Sequence, residues 1–198
     1  MSQFVTFFLK NLGIVVAGSY AESKYVPKNT DGPAGLSTYF ALTPLIFSLF
    51  NFVILTQGFQ AGQARRKYME QAKKDGEENV EERYDLPNLY AQGTSKNARA
   101  FNCVQRAHQH IFEGLTQTVV SGLIGAISYP VTAAVGSMIY VVGRYYASKG
   151  YAEGEGDASK RYSYSLARYM WQGMLMNMFL AILASTKMLT GGNKSIIW

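Results

Sequence analysis

Ser37–Gln60, STYFALTPLIFSLFNFVILTQGFQ, decides the fold. The stretch carries no charge, and as helix it would rise roughly 36 Å, enough to cross a hydrocarbon layer of about 30 Å. It sits inside a longer uncharged run of 33 residues between Asp31 and Arg65. Two more such runs follow, 30 residues between Glu113 and Arg144 and 18 between Arg168 and Lys187. Soluble domains rarely go that far without a charge. The overall composition of the 198 residues, 48% hydrophobic and 16% charged, hides this unevenness. The patterning predicts an all-α integral membrane protein with four spans, at about 37–60, 100–128, 130–149 and 165–189.

Working outward, Pro44 near the start of the first span is a possible kink. Upstream, residues 21–36 hold the turn formers Pro27, Gly32, Pro33 and Gly35 and read as a linker. Val5–Ala21 is an apolar stretch of 17 residues. It reads as an interfacial or partner-packing helix, with a fifth span or uncleaved anchor as the alternative; no clear secretory or mitochondrial leader is visible. The chain therefore divides into an N-terminal extension, 1–36, and a four-helix membrane domain, 37–198. Downstream, Arg65–Arg99 carries eight Lys/Arg and seven Asp/Glu. Its first half can continue the first span as a helix leaving the membrane, helped by pairs such as Glu70 with Lys74, and LPNLYAQGTSKNARA reads as loop. The acidic run at 75–85 reads as a solvated face. Tyr129-Pro130 breaks the second span from the third, with no charge between them, which predicts a tight hairpin. GYAEGEGDASKR (150–161) is a Gly-rich loop.

Net charge is +6. The segments 61–99 and 149–164 hold eleven Lys/Arg, against five at the two chain ends, Lys10, Lys24, Lys28, Lys187 and Lys194. That imbalance places both loops on the cytosolic side and explains the charge without nucleic acid. The single cysteine, Cys103, excludes an internal disulfide and reads as a packed thiol. His108 and His110 are two apart and do not share a helix face, so no metal pair is expected. The tyrosines between Tyr145 and Tyr169 read as an aromatic belt, and the methionines 170–178 as packing residues. Ser121, Gly122, Gly125, Ala126, Ala133, Ala134 and Gly136 favour close helix packing.

Arg106, His110 and Glu113 recur at i, i+4 and i+7 and so share one face of the second span. Charged residues at such depth usually pair, either as a structural lock or as part of a polar pocket. Arg144 lies at a similar boundary. The block FNCVQRAHQHIFE (Phe101–Glu113) resembles the signature of the MAPEG family of membrane-associated eicosanoid and glutathione enzymes, most of all its type 3 microsomal glutathione transferase branch. QARRKY (63–68) resembles the end of that family's first helix. GRYYASKGY (143–151), followed by SKR (159–161), resembles the end of its third helix and the following loop.

The resemblance implies a homotrimeric four-helix bundle in the endoplasmic reticulum or mitochondrial membrane, with an extra N-terminal helix here. It implies glutathione as co-substrate, taken up between subunits, and a lipophilic partner from the bilayer. By the same resemblance Arg65, Arg66, Arg106, His110, Glu113 and Tyr151 would bind glutathione, and Arg161 would stabilise its thiolate as the catalytic residue. These residue types suit the ligand: arginine's fork holds a carboxylate, a glutamate an ammonium, and a nearby guanidinium lowers a thiol pKa. The pattern is not complete. His110 replaces an asparagine, Gly114 and Leu115 stand for Val-Tyr, Thr116 for proline, and Ala147 for the first tyrosine of the third helix. An alternative follows, a structural subunit of a larger membrane complex that kept the fold and lost efficient chemistry.

Overall fold

The computed structural model describes residues 3–28 and 30–191; the short tail GGNKSIIW lies outside them from Gly192 on. Every regular element among these residues is helical. They are α1 (Gln3–Tyr25), α2 (Leu42–Lys74), the short α3 (Val80–Tyr84), α4 (Lys96–Ser128), α5 (Pro130–Ala152) and α6 (Tyr169–Leu189). Four long helices following an N-terminal one is the expected order.

The boundaries follow local chemistry. A 3₁₀ turn, Thr38–Ala41, leads into α2, and the Ser37 hydroxyl accepts from Tyr39 N at 3.2 Å. Pro44 falls in the first turn of α2, where its missing N–H is not required, so the helix passes it without a break. The apolar run then continues as one helix to Lys74, through the basic block. α4 starts at Lys96, four residues earlier than the span boundary predicts, because Ser95 caps it: the hydroxyl accepts from Ala98 N at 3.2 Å and the carbonyl from Arg99 N at 3.0 Å. The hairpin is as tight as the sequence suggests. Tyr129 alone separates α4 from α5, and Pro130 takes the first position of α5.

Two helical stretches are long and apolar enough to cross a membrane among the described residues, Thr38–Lys74 and Lys96–Ser128. Only 22% and 28% of their apolar windows are covered by the rest of the chain. On α2 the exposed stripe includes Leu45, Leu49, Phe52, Leu55 and Phe59. A core helix of a soluble protein would hide such a stripe; here it is left for lipid or a partner. α5 and α6 have the length, at 23 and 21 residues, but carry Arg144 and Asn177 among their apolar residues.

The chain forms two compact units. The first comprises residues 1–50, 114–143 and 169–198. Its core is built from Val15, Ala126, Tyr129, Ala133, Met176, Phe179 and Leu180. Here α1 packs on α6, with Phe8 edge-on to Phe179 at 4.7 Å. α1 is also fastened at its other end. The buried Glu22 carboxylate accepts from Val131 N, Thr132 N and the Thr132 hydroxyl at 2.8, 2.7 and 2.6 Å, capping α5 from a different helix. α5 and α6 approach closely at glycines: a Cβ on Gly173 would lie 2.3 Å from Tyr140 N, and one on Gly143 2.3 Å from Met170 N. Asn177, fully buried, donates to the Ser137 hydroxyl at 3.1 Å. Such small-residue contacts and polar pairs hold helices where apolar burial gives no preference.

The second unit comprises residues 51–113 and 144–168. The segment between α2 and α4 is folded back onto a core of Ala72, Val80, Tyr84, Ala91, Ala98 and Phe101. Asn102 exchanges two hydrogen bonds with the Ala91 backbone, at 2.8 and 2.9 Å. Arg83 donates to Gln92 O at 2.8 Å and pairs with Glu77 at 2.9 Å. Asn97 donates to both Asp75 and Glu77, at 2.8 and 2.9 Å. Most of the acidic run is exposed as read, but Glu77 is not simply solvated. Burial by itself would raise its carboxyl pKa; hydrogen bonds from Ser95, Asn97 and Arg83 outweigh that and hold it below the usual range.

Candidate functional site

The residues singled out on α4 do meet. Two turns separate Arg106 from Glu113, and both side chains fold along the helix face to bridge them. The guanidinium grips the carboxylate with both terminal nitrogens: Nη1 donates to Oε1 in a short contact, and Nη2 donates to Oε2 at 3.0 Å. A bidentate fork of this kind fixes orientation as well as charge. His110 lies between them on the same face, its Nε2 3.6 Å from Glu113 Oε2. The Tyr90 phenol from the preceding segment lies against the Arg106 guanidinium and also donates to Gln109 Oε1 at 2.5 Å.

Other cations surround His110. Its strongest electrostatic neighbours are Arg144 on α5, then Glu113, Arg106 and Arg161. Arg144 is buried at 4% exposure. Arg161 sits on a 3₁₀ turn, Ala158–Tyr162, with its guanidinium 5.0 Å from the Tyr162 ring. That turn is fixed by Asp157, whose carboxylate accepts from Ser159 N at 2.9 Å and from the Ser159 hydroxyl at 2.7 Å. These bonds, above all the one from the Ser159 hydroxyl, hold the Asp157 carboxyl below its ordinary pKa. The second unit thus places Arg106, His110 and Glu113 on one face of α4, with Arg144 and Arg161 within electrostatic reach of His110.

The remaining predicted residues are placed elsewhere. Arg65 is committed to the chain's own backbone: it donates to Tyr84 O at 2.5 Å and Leu89 O at 3.1 Å, with its guanidinium 4.7 Å from the Phe101 ring. It therefore staples the returning segment to α2. Arg66, the other half of the pair, is exposed on α2. Tyr151 is half-buried in the last turn of α5. The resemblance of QARRKY (63–68) to the end of the family's first helix grouped Arg65 with Arg66. The sequence marks Arg144 as a charge at the membrane boundary, beside Arg106 and Glu113, but does not count it among the binding residues.

A cluster of this composition can hold a small zwitterion, with arginines for carboxylates and a glutamate for an ammonium, and can stabilise an anion beside them. The sequence profile of the MAPEG family matches residues 43–184, which includes α4, α5 and every residue of the cluster. That match spans more than two thirds of the chain. It leaves out α1, the helix whose Glu22 caps α5. With two helices fit to cross a bilayer and a polar face on the second, the chain is a membrane protein and belongs to the MAPEG family.

Proposed function

We propose that the protein is a membrane glutathione S-transferase or glutathione-dependent peroxidase, similar to the family's type 3 branch, acting on lipophilic electrophiles or lipid hydroperoxides. The observation that carries this reading is the Arg106–Glu113 pair beside His110 on one face of α4, with Arg144 and Arg161 within electrostatic reach. Glutathione offers two carboxylates, an ammonium and a thiol. Arg106 would take a carboxylate and Glu113 the ammonium, with His110 able to donate one hydrogen bond where an asparagine would donate from its amide. Arg66 and Tyr151 would complete the binding set; Arg65 contributes by holding the segment around Tyr84. Arg161 would stabilise the thiolate, the reactive form of a thiol whose free pKa is about 8.5. The thiol proton leaves to solvent. The thiolate then attacks an electrophilic carbon to form a thioether, while the carbon expels its leaving group as an anion or its activated double bond takes up a proton from solvent. Alternatively it attacks a hydroperoxide oxygen, cleaving the O–O bond to release the alcohol after protonation by solvent and a sulfenic acid, which a second glutathione converts to glutathione disulfide and water. In this reading residues 37–198 form the catalytic domain, 1–36 an added extension, and a homotrimer in the endoplasmic reticulum or mitochondrial membrane completes the site.

The test is direct. Detergent-purified protein mixed with glutathione should show near-ultraviolet thiolate absorbance, and Arg161→Ala should remove it. Absence of both the absorbance and any glutathione binding at millimolar concentration would sink the proposal.

A second reading, a structural subunit with weakened chemistry, is favoured by Gly114, Leu115, Thr116 and Ala147 standing where the family pattern has other residues. It predicts stable co-purification with other membrane proteins that is lost on deleting residues 1–36.

A further inference from the structure

Away from the arginine cluster, the second unit holds a cleft of about 290 Å³. It lies between the last turns of α2 and the first turn of α4. Lys67, Lys74 and Lys96 border it, together with Tyr68 and Gln71. Lys67 and Lys74 are seven apart and so share one face of α2, while Lys96 opens α4 from the opposite wall. Among the described residues none of the three lysines is in an ion pair, Lys67 lying 5.1 Å from the Tyr68 ring, whereas Lys73, Arg83, Arg106 and Lys149 each hold a carboxylate. Two carboxylates also line the cleft, Asp75 and Glu155. Asp75 is already engaged, accepting from Asn97 at 2.8 Å. The lining therefore keeps net positive charge, with unspent donors.

Three features define the ligand. First, the cations are all lysines, and no arginine lines the cleft. Ammonium groups converging from two helices suit a tetrahedral anion, while planar carboxylates are better met by an arginine fork. Second, the volume is at the low end for ligand pockets, so the occupant is the size of a headgroup and not of a whole lipid. Third, Lys67 stands seven residues past Gln60, roughly 10 Å of helix rise beyond the apolar run. That is at the aqueous edge of the headgroup layer, which is about 5–8 Å thick on each side, within reach of a lysine's four-carbon stem. Basic clefts between membrane helices on the positively charged side are suited to phosphorylated headgroups.

We propose that this cleft binds a phosphate-bearing anion at the membrane surface, a site separate from the Arg106 cluster and independent of the activity proposed above. Its ligand is the phosphate of an anionic phospholipid headgroup or a free phosphate from the aqueous phase; both present the same tetrahedral anion. The full chain is placed in phosphatidylcholine nanodiscs, alone or at about four parts to one of phosphatidic acid, and its lysines are acetylated with a water-soluble amine reagent. Mass spectrometry reads the labelling rate at each lysine. Phosphatidic acid should slow Lys67, Lys74 and Lys96 by about five-fold, and Lys73 and Lys160 by less than about two-fold. A parallel arm gives millimolar inorganic phosphate to the phosphatidylcholine discs. Protection there identifies a soluble ligand, and protection by phosphatidic acid alone identifies the lipid. K74Q/K96Q, both at exposed positions, should abolish protection of Lys67, and K73Q should leave it intact. Equal slowing of all five lysines would reveal only surface potential and would overturn the proposal, as would no slowing in either arm.

Discussion

Glu22→Ala removes the hydrogen bonds by which α1 caps the start of α5. The carboxylate accepts three hydrogen bonds at 2.6–2.8 Å, two from backbone N–H groups that no helix can satisfy internally. Loss of a cap costs about 1 kcal/mol and up to about 2. The carboxylate's attraction to the positive end of α5 adds about 0.3–1 kcal/mol, more when partly buried, as here. Together the substitution should cost about 2–3 kcal/mol. For a chain of this size, 1 kcal/mol moves the melting temperature by about 2–4 °C, so a fall of about 4–12 °C is expected. Glu22→Gln should fall between, because its amide presents one oxygen and one NH₂ group to a site that offers only donors. Thermal unfolding of the full chain in detergent measures the loss, and hydrogen exchange at Val131 and Thr132 locates it. If Glu22→Ala melts with the parent and those two amides keep their protection, α1 does not cap α5 and the account of its docking is wrong.

Three further outcomes are expected. Gly173→Ala would set a methyl against the Tyr140 backbone, which cannot yield as a side chain tip can, so α6 must shift from α5; a loss of about 1–3 kcal/mol or more should appear as a lower melting temperature. Glu77 has a folded-state pKa below its ordinary 4.5, so its stabilisation is present above that value and lost as pH falls through the folded pKa. Amides at 95–99 should therefore lose protection below about pH 4.5, and Glu77→Gln should flatten that dependence. Asp157→Ala removes both Ser159 bonds beneath the turn that carries Arg161; exchange at Ser159 and Lys160 should accelerate, and the thiolate absorbance proposed above should fall without loss of the Arg106–Glu113 pair.

The sequence exposes those parts of the molecule governed by local rules. Uncharged runs, a proline after Tyr129 and the i, i+4, i+7 spacing of Arg106, His110 and Glu113 each act within a few residues, and each is recovered in the fold. What it hides depends on distant partners. Glu22 and Thr132 are 110 residues apart, and nothing around Glu22 marks it as a cap. Arg65 looks like a ligand-binding cation through the family resemblance of QARRKY, yet its acceptors are carbonyls fixed only once the 84–89 backbone is folded. Gly173 draws no notice among methionines until α5 is laid beside it. Ser95 was readable as a cap in principle, but lacks the glutamate or glutamine three residues on that strengthens the signal.

The Arg106–Glu113 pair bears most on the proposed chemistry, since each group already has the partner that glutathione would replace. Near the membrane–water boundary the pair lets α4 carry both charges with each neutralised. Both side chains remain partly exposed, at 37% and 51%, and a pair of that exposure is worth at most about 1 kcal/mol. Opening it is therefore cheap beside the two charge-assisted contacts a zwitterion would make in exchange, one carboxylate on Arg106 and one ammonium on Glu113. The double exchange R106E/E113R tests whether the pair binds or only locks. A lock depends on opposite charge alone, so the swapped protein should fold and melt close to the parent. A binding site depends on which charge stands where, so glutathione affinity should fall at least about ten-fold in the swap. Titration calorimetry on the detergent-purified protein reads both affinities. Equal binding by the parent and the swapped protein would show that the charges on this face of α4 serve packing, and would remove Arg106 and Glu113 from the glutathione site.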